Sequence, residues 1–234
     1  MTMAKASGGT RINNPYSNIQ LIKFGKYDSE DTDDIHDFYL PKGVVSKFSA
    51  IDKIDTYEKA KEYLQKLGIN LSLGSAVSDK AFAKSGIFLS KNIIGAVETY
   101  RNVFGSNALS KLKNIVLYDK DETSTAAYYF NKIGEKDPKA GSIHIKSNLV
   151  TARQIFHELA HAYQDSHAKK GEDAISYSNR VVQAGKLSTA AKTYSGADND
   201  ALQAERFADA FANAFAYNKK YGLDFINNIR KYKL

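Results

Sequence analysis

His157, Glu158 and His161 stand in the order His-Glu-x-x-His within Gln154–Tyr163. On a helix, positions four apart share a face, so the two imidazoles can converge on one Zn²⁺. Glu158 sits between them, where a carboxylate can act as a general base on a water. The neighbouring residues suit a half-buried helix. Ile155, Leu159 and Ala162 recur at i, i+4 and i+7, a stripe that packs inward while the histidines face a cleft.

Two histidines do not complete a zinc site, and the chain has no cysteine. Any further protein ligand must be a histidine or a carboxylate, and glutamate is the usual third partner of such a pair. Asp200–Phe215 contains the best candidate. The segment is strongly helical, with Phe207, Phe211 and Phe215 four apart and small residues at Ala204, Ala208 and Ala214. Small residues let a second helix backbone come close, as a shared metal requires. Glu205 and Asp209 lie one turn apart on that helix. Glu205 is the expected third ligand, and Asp209 is expected to accept the free ring N–H of His157 and fix its tautomer.

These elements follow a recognisable order. Residues 1–20 read as a flexible lead, with a short strand over Ile19–Ile22. Asp28–Asp37 is acid-rich but lacks the glycine and terminal glutamate of a calcium loop, so it is expected to be a solvated loop. Asp55 or Thr56 caps a helix over Tyr57–Leu67 that closes at Gly68, and a second helix spans Asn92–Phe104. Strands are predicted at Asn114–Tyr118, Ala126–Phe130 and Ser142–Lys146. The organisation expected is an N-terminal extension over 1–50 and one domain over 51–234.

The helix pair, 154–163 with 204–216, resembles the gluzincin zinc metallopeptidases. Ala204-Glu205-Arg206-Phe207-Ala208-Asp209-Ala210-Phe211-Ala212 is similar to the third-ligand helix of the anthrax lethal factor catalytic domain and of the Pro-Pro endopeptidases. Peptidase domains associated with phage head proteins share the element order. The resemblance implies an α+β, zincin-like fold: a small mixed sheet with an edge substrate strand, packed on the His-Glu-x-x-His helix and a C-terminal ligand helix. It implies Zn²⁺ held by His157, His161 and Glu205, and Glu158 as the base. It also implies a tyrosine that assists the oxyanion, for which Tyr194 is the candidate and Tyr177 the reserve. By its order in the chain, Ser142–Lys146 is the expected substrate strand, with Ile143, His144 and Ile145 as contact residues. His144 has a simpler reading as an ordinary exposed residue, and His167 is expected to face solvent.

The implied activity is zinc-dependent hydrolysis of peptide bonds in a protein or peptide substrate, in a phage maturation or toxin and effector setting. Other virion proteins are partners in the first of these. Two alternatives stand beside it: a virion structural or cargo protein with the fold but no turnover, and a basic nucleic-acid binder. The net charge of +7 would serve the latter. Its lysines are scattered, however, which suits a solvated surface better, and nucleic acid is not the expected partner. No apolar run is long enough for a membrane span, and Met1–Gly9 lacks the apolar core of a signal peptide. The expected location is therefore cytoplasmic or virion-associated, or inside a host cell after delivery.

Overall fold

Helix α1 (Tyr57–Lys66) begins where the Thr56 hydroxyl accepts a hydrogen bond from the Lys59 N–H, and it ends before Gly68 at φ +81°. Ala60 and Leu64 form its buried stripe. The computed structural model describes residues 21–24, 38–41, 44, 47, 50–51, 53–74, 85–119, 127–130, 139–146, 150–188 and 201–234. Both Tyr194 and the acid-rich Asp28–Asp37 segment lie outside these residues. Strands β1 (Leu21–Phe24) and β2 (Phe38–Pro41) pair antiparallel.

Helix α2 (Ser85–Phe104) starts about two turns before its predicted first residue, Asn92. Almost every side chain from Leu89 to Tyr100 is buried. A helix covered all round carries no polar stripe to mark its start. Its buried Glu98 accepts from Lys47 Nζ and Tyr63 Oη, both at 2.9 Å, so its charge is partnered.

The main sheet comprises β3 (Asn70–Leu73), β4 (Asn114–Leu117), β5 (Ala127–Phe130) and β6 (Ser142–Ile145), in the order β3-β4-β6-β5. The first three in that order are mutually parallel, and β5 runs antiparallel to β6. This corrects the placement of Ser142–Lys146 as an edge strand. β6 has a hydrogen-bonded neighbour on each side, and Ser142 to Ile145 are all buried. Ile143 and Ile145 point into the core with Ile93, Ile115, Ala127, Ile155 and Leu159. Among the described residues β5 is the outer strand on that side.

Among the described residues four helices follow: α3 (Ala152–His167), α4 (Ala174–Ala184), α5 (Leu202–Tyr217) and α6 (Lys220–Tyr232). α3 opens with a capping box. The Gln154 N–H donates to the Thr151 hydroxyl, and the Thr151 N–H donates to Gln154 Oε1. α4, which hydropathy did not predict, is capped by Asp173 accepting from the Ser176 N–H at 2.6 Å. The domain is thus a small mixed α+β unit with the motif in one helix and Glu205 in another.

α3 and α5 lie side by side, and the fully buried Ala160, Ala208 and Ala212 let them approach. Their shared core is aromatic. Phe207 and Phe211 stack with ring centroids 4.6 Å apart, and Phe156 meets Phe215 at 5.2 Å. Tyr100 of α2 donates its hydroxyl to the Phe156 carbonyl at 2.7 Å, one residue before His157. At Gly222 a Cβ would come within 2.2 Å of the Ala210 carbonyl oxygen, so α6 crosses α5 where only glycine fits.

Candidate metal centre

On α3, Arg153, His157, His161 and Gln164 share a helix face by their spacing. α5 brings Glu205 and Asp209 against it. His157 Nε2 lies 3.1 Å from Glu205 Oε2 and 3.1 Å from His161 Nε2, and His161 Nε2 lies 3.4 Å from Glu205 Oε1. The two rings meet nearly edge-on, 80° apart. With zinc–ligand bonds of about 2.0–2.1 Å, tetrahedral ligand atoms sit about 3.3 Å apart. The observed separations fit that figure.

The opposite ring nitrogens determine what these atoms offer. His157 Nδ1 faces the Asp209 carboxylate at 2.9 Å, and His161 Nδ1 faces the Gln164 carbonyl oxygen at 2.8 Å. Both partners are acceptors, so both Nδ1 atoms carry protons and donate them. The two Nε2 lone pairs are then left to converge with the Glu205 carboxylate. Three electron-rich atoms this close repel unless a cation or a shared proton lies among them. His157, His161 and Glu205 accordingly form a candidate metal-binding triad.

Titration follows the same geometry. Burial disfavours charge on His157, yet its hydrogen bonds to Asp209 and Glu205 outweigh this and lift its pKa to about 10. Burial and the neighbouring His157 charge both push His161 down. The two shifts describe one proton held on His157, whose partners are charged, and not on His161, whose Nδ1 partner is a neutral amide. Glu205 is held below its usual value because the two histidines outweigh its burial.

Glu158 is buried beside the triad, and its pKa rises to about 7. Burial is the main cause, opposed by the His157 charge and reinforced by Glu205. The backbone of Tyr129 on β5 lies close enough to this carboxylate to pull its pKa down, so the outer strand runs past the base. The Tyr129 hydroxyl also donates to Asp165 on α3 at 2.8 Å, tying strand to helix.

No protein-family model, curated protein or solved structure matches the chain. Its functional assignment therefore rests on the centre itself. The His-Glu-x-x-His pair with a distal glutamate is a zincin-like arrangement consistent with a zinc-dependent hydrolase.

The remaining candidates fare differently. Tyr177 is fully buried, with its ring edge-on to Phe207 at 5.9 Å, so it belongs to the aromatic core. His144 is buried rather than exposed. Its Nδ1 meets Asp119, its Nε2 lies 3.0 Å from the Ser142 hydroxyl, and its ring stacks on Tyr128. The Ser-His-Asp order imitates an acyl-transfer triad. However, Ser142 is only 2% exposed and donates its proton to the Lys139 carbonyl, so it has none left for His144 to remove. His167 is also not the solvent-facing residue expected. Its ring stacks on Tyr163 at 3.9 Å, and its Nδ1 donates to the Tyr163 carbonyl.

Two residues of the centre escaped sequence reasoning. Arg153 donates to Asp209 at 2.5 Å, and Gln164 reaches His161. Helical spacing from the motif, one turn back and about one turn on, was the available signal.

Proposed function

We propose that this chain is a zinc-dependent endopeptidase of the gluzincin type. The observation that carries the proposal is the convergence of His157 Nε2, His161 Nε2 and a Glu205 oxygen, with each imidazole donating its other N–H to an acceptor. The residues present fit the metal in donor type, number and spacing. Zinc held there would supply a Lewis acid for the scissile carbonyl and would lower the pKa of a water toward about 7.

Everything else is done by the chain's own residues. Glu158, poised near neutrality by burial, takes the proton of the attacking water and delivers it to the leaving amine. Asp209 holds His157 in register, and Arg153 balances the charge of Asp209. The outer strand β5 offers main-chain groups to an extended peptide, in the manner of strand addition. Its position beside Glu158 supports β5, and not β6, as the substrate strand. Tyr194 retains its proposed role as an oxyanion donor.

The test is cleavage of an unfolded protein such as casein by the zinc-loaded chain. Activity that a chelator abolishes and zinc restores is expected. Inertness of a zinc-replete protein toward every peptide substrate would oppose the proposal.

A further inference from the structure

Gln164 is a fully buried polar side chain in the middle of a helix interface, and so far it has served only as an acceptor for His161. Its amide is engaged at both ends. Nε2 donates to the Ala204 carbonyl on α5 at 2.8 Å, and Oε1 accepts from His161 Nδ1 at 2.8 Å.

These contacts constrain one another. A backbone carbonyl can only accept, so Ala204 dictates that the NH₂ end of Gln164 faces α5. The amide oxygen must then face His161. That oxygen can also only accept, so His161 carries its proton on Nδ1. The lone pair is thereby left on Nε2, the atom 3.1 Å from His157 Nε2 and 3.4 Å from Glu205 Oε1. Ala204 immediately precedes Glu205, so the same amide anchors the first turn of the helix that carries the third ligand.

We infer that Gln164 is a positioning residue of the metal centre, setting the His161 tautomer and joining the turn that bears Glu205 to α3. The inference rests on the zinc reading of the triad for its purpose, but not for its geometry. The neutral partner also has a distinct electrostatic consequence. Asp209, Glu205 and Glu158 already crowd the site, with Arg153 beside Asp209. A carboxylate behind His161 would add a further negative charge and confront the Ala204 carbonyl with a second acceptor.

The experiment uses the full chain, ¹⁵N-labelled, with long-range imidazole ¹H–¹⁵N spectra of metal-free protein and competition with a chromogenic chelator for zinc affinity. Wild type is expected to show His161 protonated on Nδ1 in the metal-free state. Gln164→Met preserves side-chain length and removes both hydrogen bonds. It should weaken zinc binding by about 10–100-fold and populate the Nε2–H tautomer of His161, with helix content by circular dichroism unchanged. Gln164→Glu keeps the acceptor for His161 and loses the donor to Ala204. It should retain the Nδ1–H signature while binding zinc less tightly than wild type.

A folded Gln164→Met variant with wild-type zinc affinity and an unaltered tautomer would overturn the inference. Metal-free wild type with His161 protonated on Nε2 would do so as well, even if Gln164→Met does not fold. A wild type that takes up no zinc sinks the metal reading, while the tautomer spectrum still decides the role of Gln164.

Discussion

The Asp209 carboxylate lies 2.9 Å from His157 Nδ1, on the far side of the ring from Glu205, and also accepts from Arg153 at 2.5 Å. One α5 carboxylate therefore orients His157 on α3 while a guanidinium on α3 balances its charge. Asp209 is only 1% exposed, so this pairing is what makes its charge tolerable. Asp209→Ala should lower zinc affinity by about 10–100-fold. It should also destabilise the fold by about 1–3 kcal/mol, because the buried carboxylate that accepts from both His157 and Arg153 is removed. Chelator competition and thermal melts read the two effects separately.

Glu158 touches no ligand-forming atom in the role assigned to it, so chemistry and binding should separate there. Glu158→Gln should keep zinc at the wild-type stoichiometry and lose at least about 10²–10⁴-fold in peptide cleavage. Metal analysis beside a turnover assay checks this, and a variant with wild-type turnover would remove Glu158 from the mechanism.

On the proposed zinc reading, metal binding would displace the proton that His157 holds. With its pKa near 10, that proton is present throughout the neutral range. Apparent zinc affinity should therefore rise about tenfold per pH unit above 7, tapering as pH nears 10. The sign for folding follows from the same shift. The folded-state value lies above the ordinary 6.5, so the stabilisation is fully present below about pH 6.5 and is lost as pH climbs through 10. Metal-free protein should melt progressively lower across that window. An affinity flat between pH 7 and 8 would contradict the proton assignment.

Gly222 is where α6 crosses α5, four residues after the left-handed Asn218 that ends α5. Gly222→Ala would drive a Cβ against the Ala210 carbonyl oxygen and to 3.0 Å from Ala214 Cβ. The expected cost is about 1–3 kcal/mol, read as a lower denaturant midpoint. A wild-type midpoint would mean the helices can part without loss.

The parts of this molecule legible in the sequence are those that depend on one helix at a time. His157 and His161 share a face by spacing alone, and the Phe207, Phe211 and Phe215 stripe marked α5 as a buried partner carrying Glu205 and Asp209. Strand order was not legible. Ser142–Ile145 looks the same at an edge as between two neighbours, and only long-range pairing put β4 and β5 on either side of it. His144 illustrates the consequence, an alternating polar position that turned out to lie under cover. Gln164 and Arg153 were missed for a different reason. Their roles depend on a second helix, through Ala204 and Asp209, and no local pattern announces a hydrogen bond across an interface.

The central claim is that His157, His161 and Glu205 hold one zinc ion between α3 and α5. Its most direct test is elemental analysis of the purified full chain and of Glu205→Ala after equilibration with limiting zinc. One zinc per wild-type chain, retained against a weak chelator and lost from a folded Glu205→Ala variant, is the predicted result. A wild type without stoichiometric zinc, or a Glu205→Ala variant that holds zinc as tightly, would contradict the account.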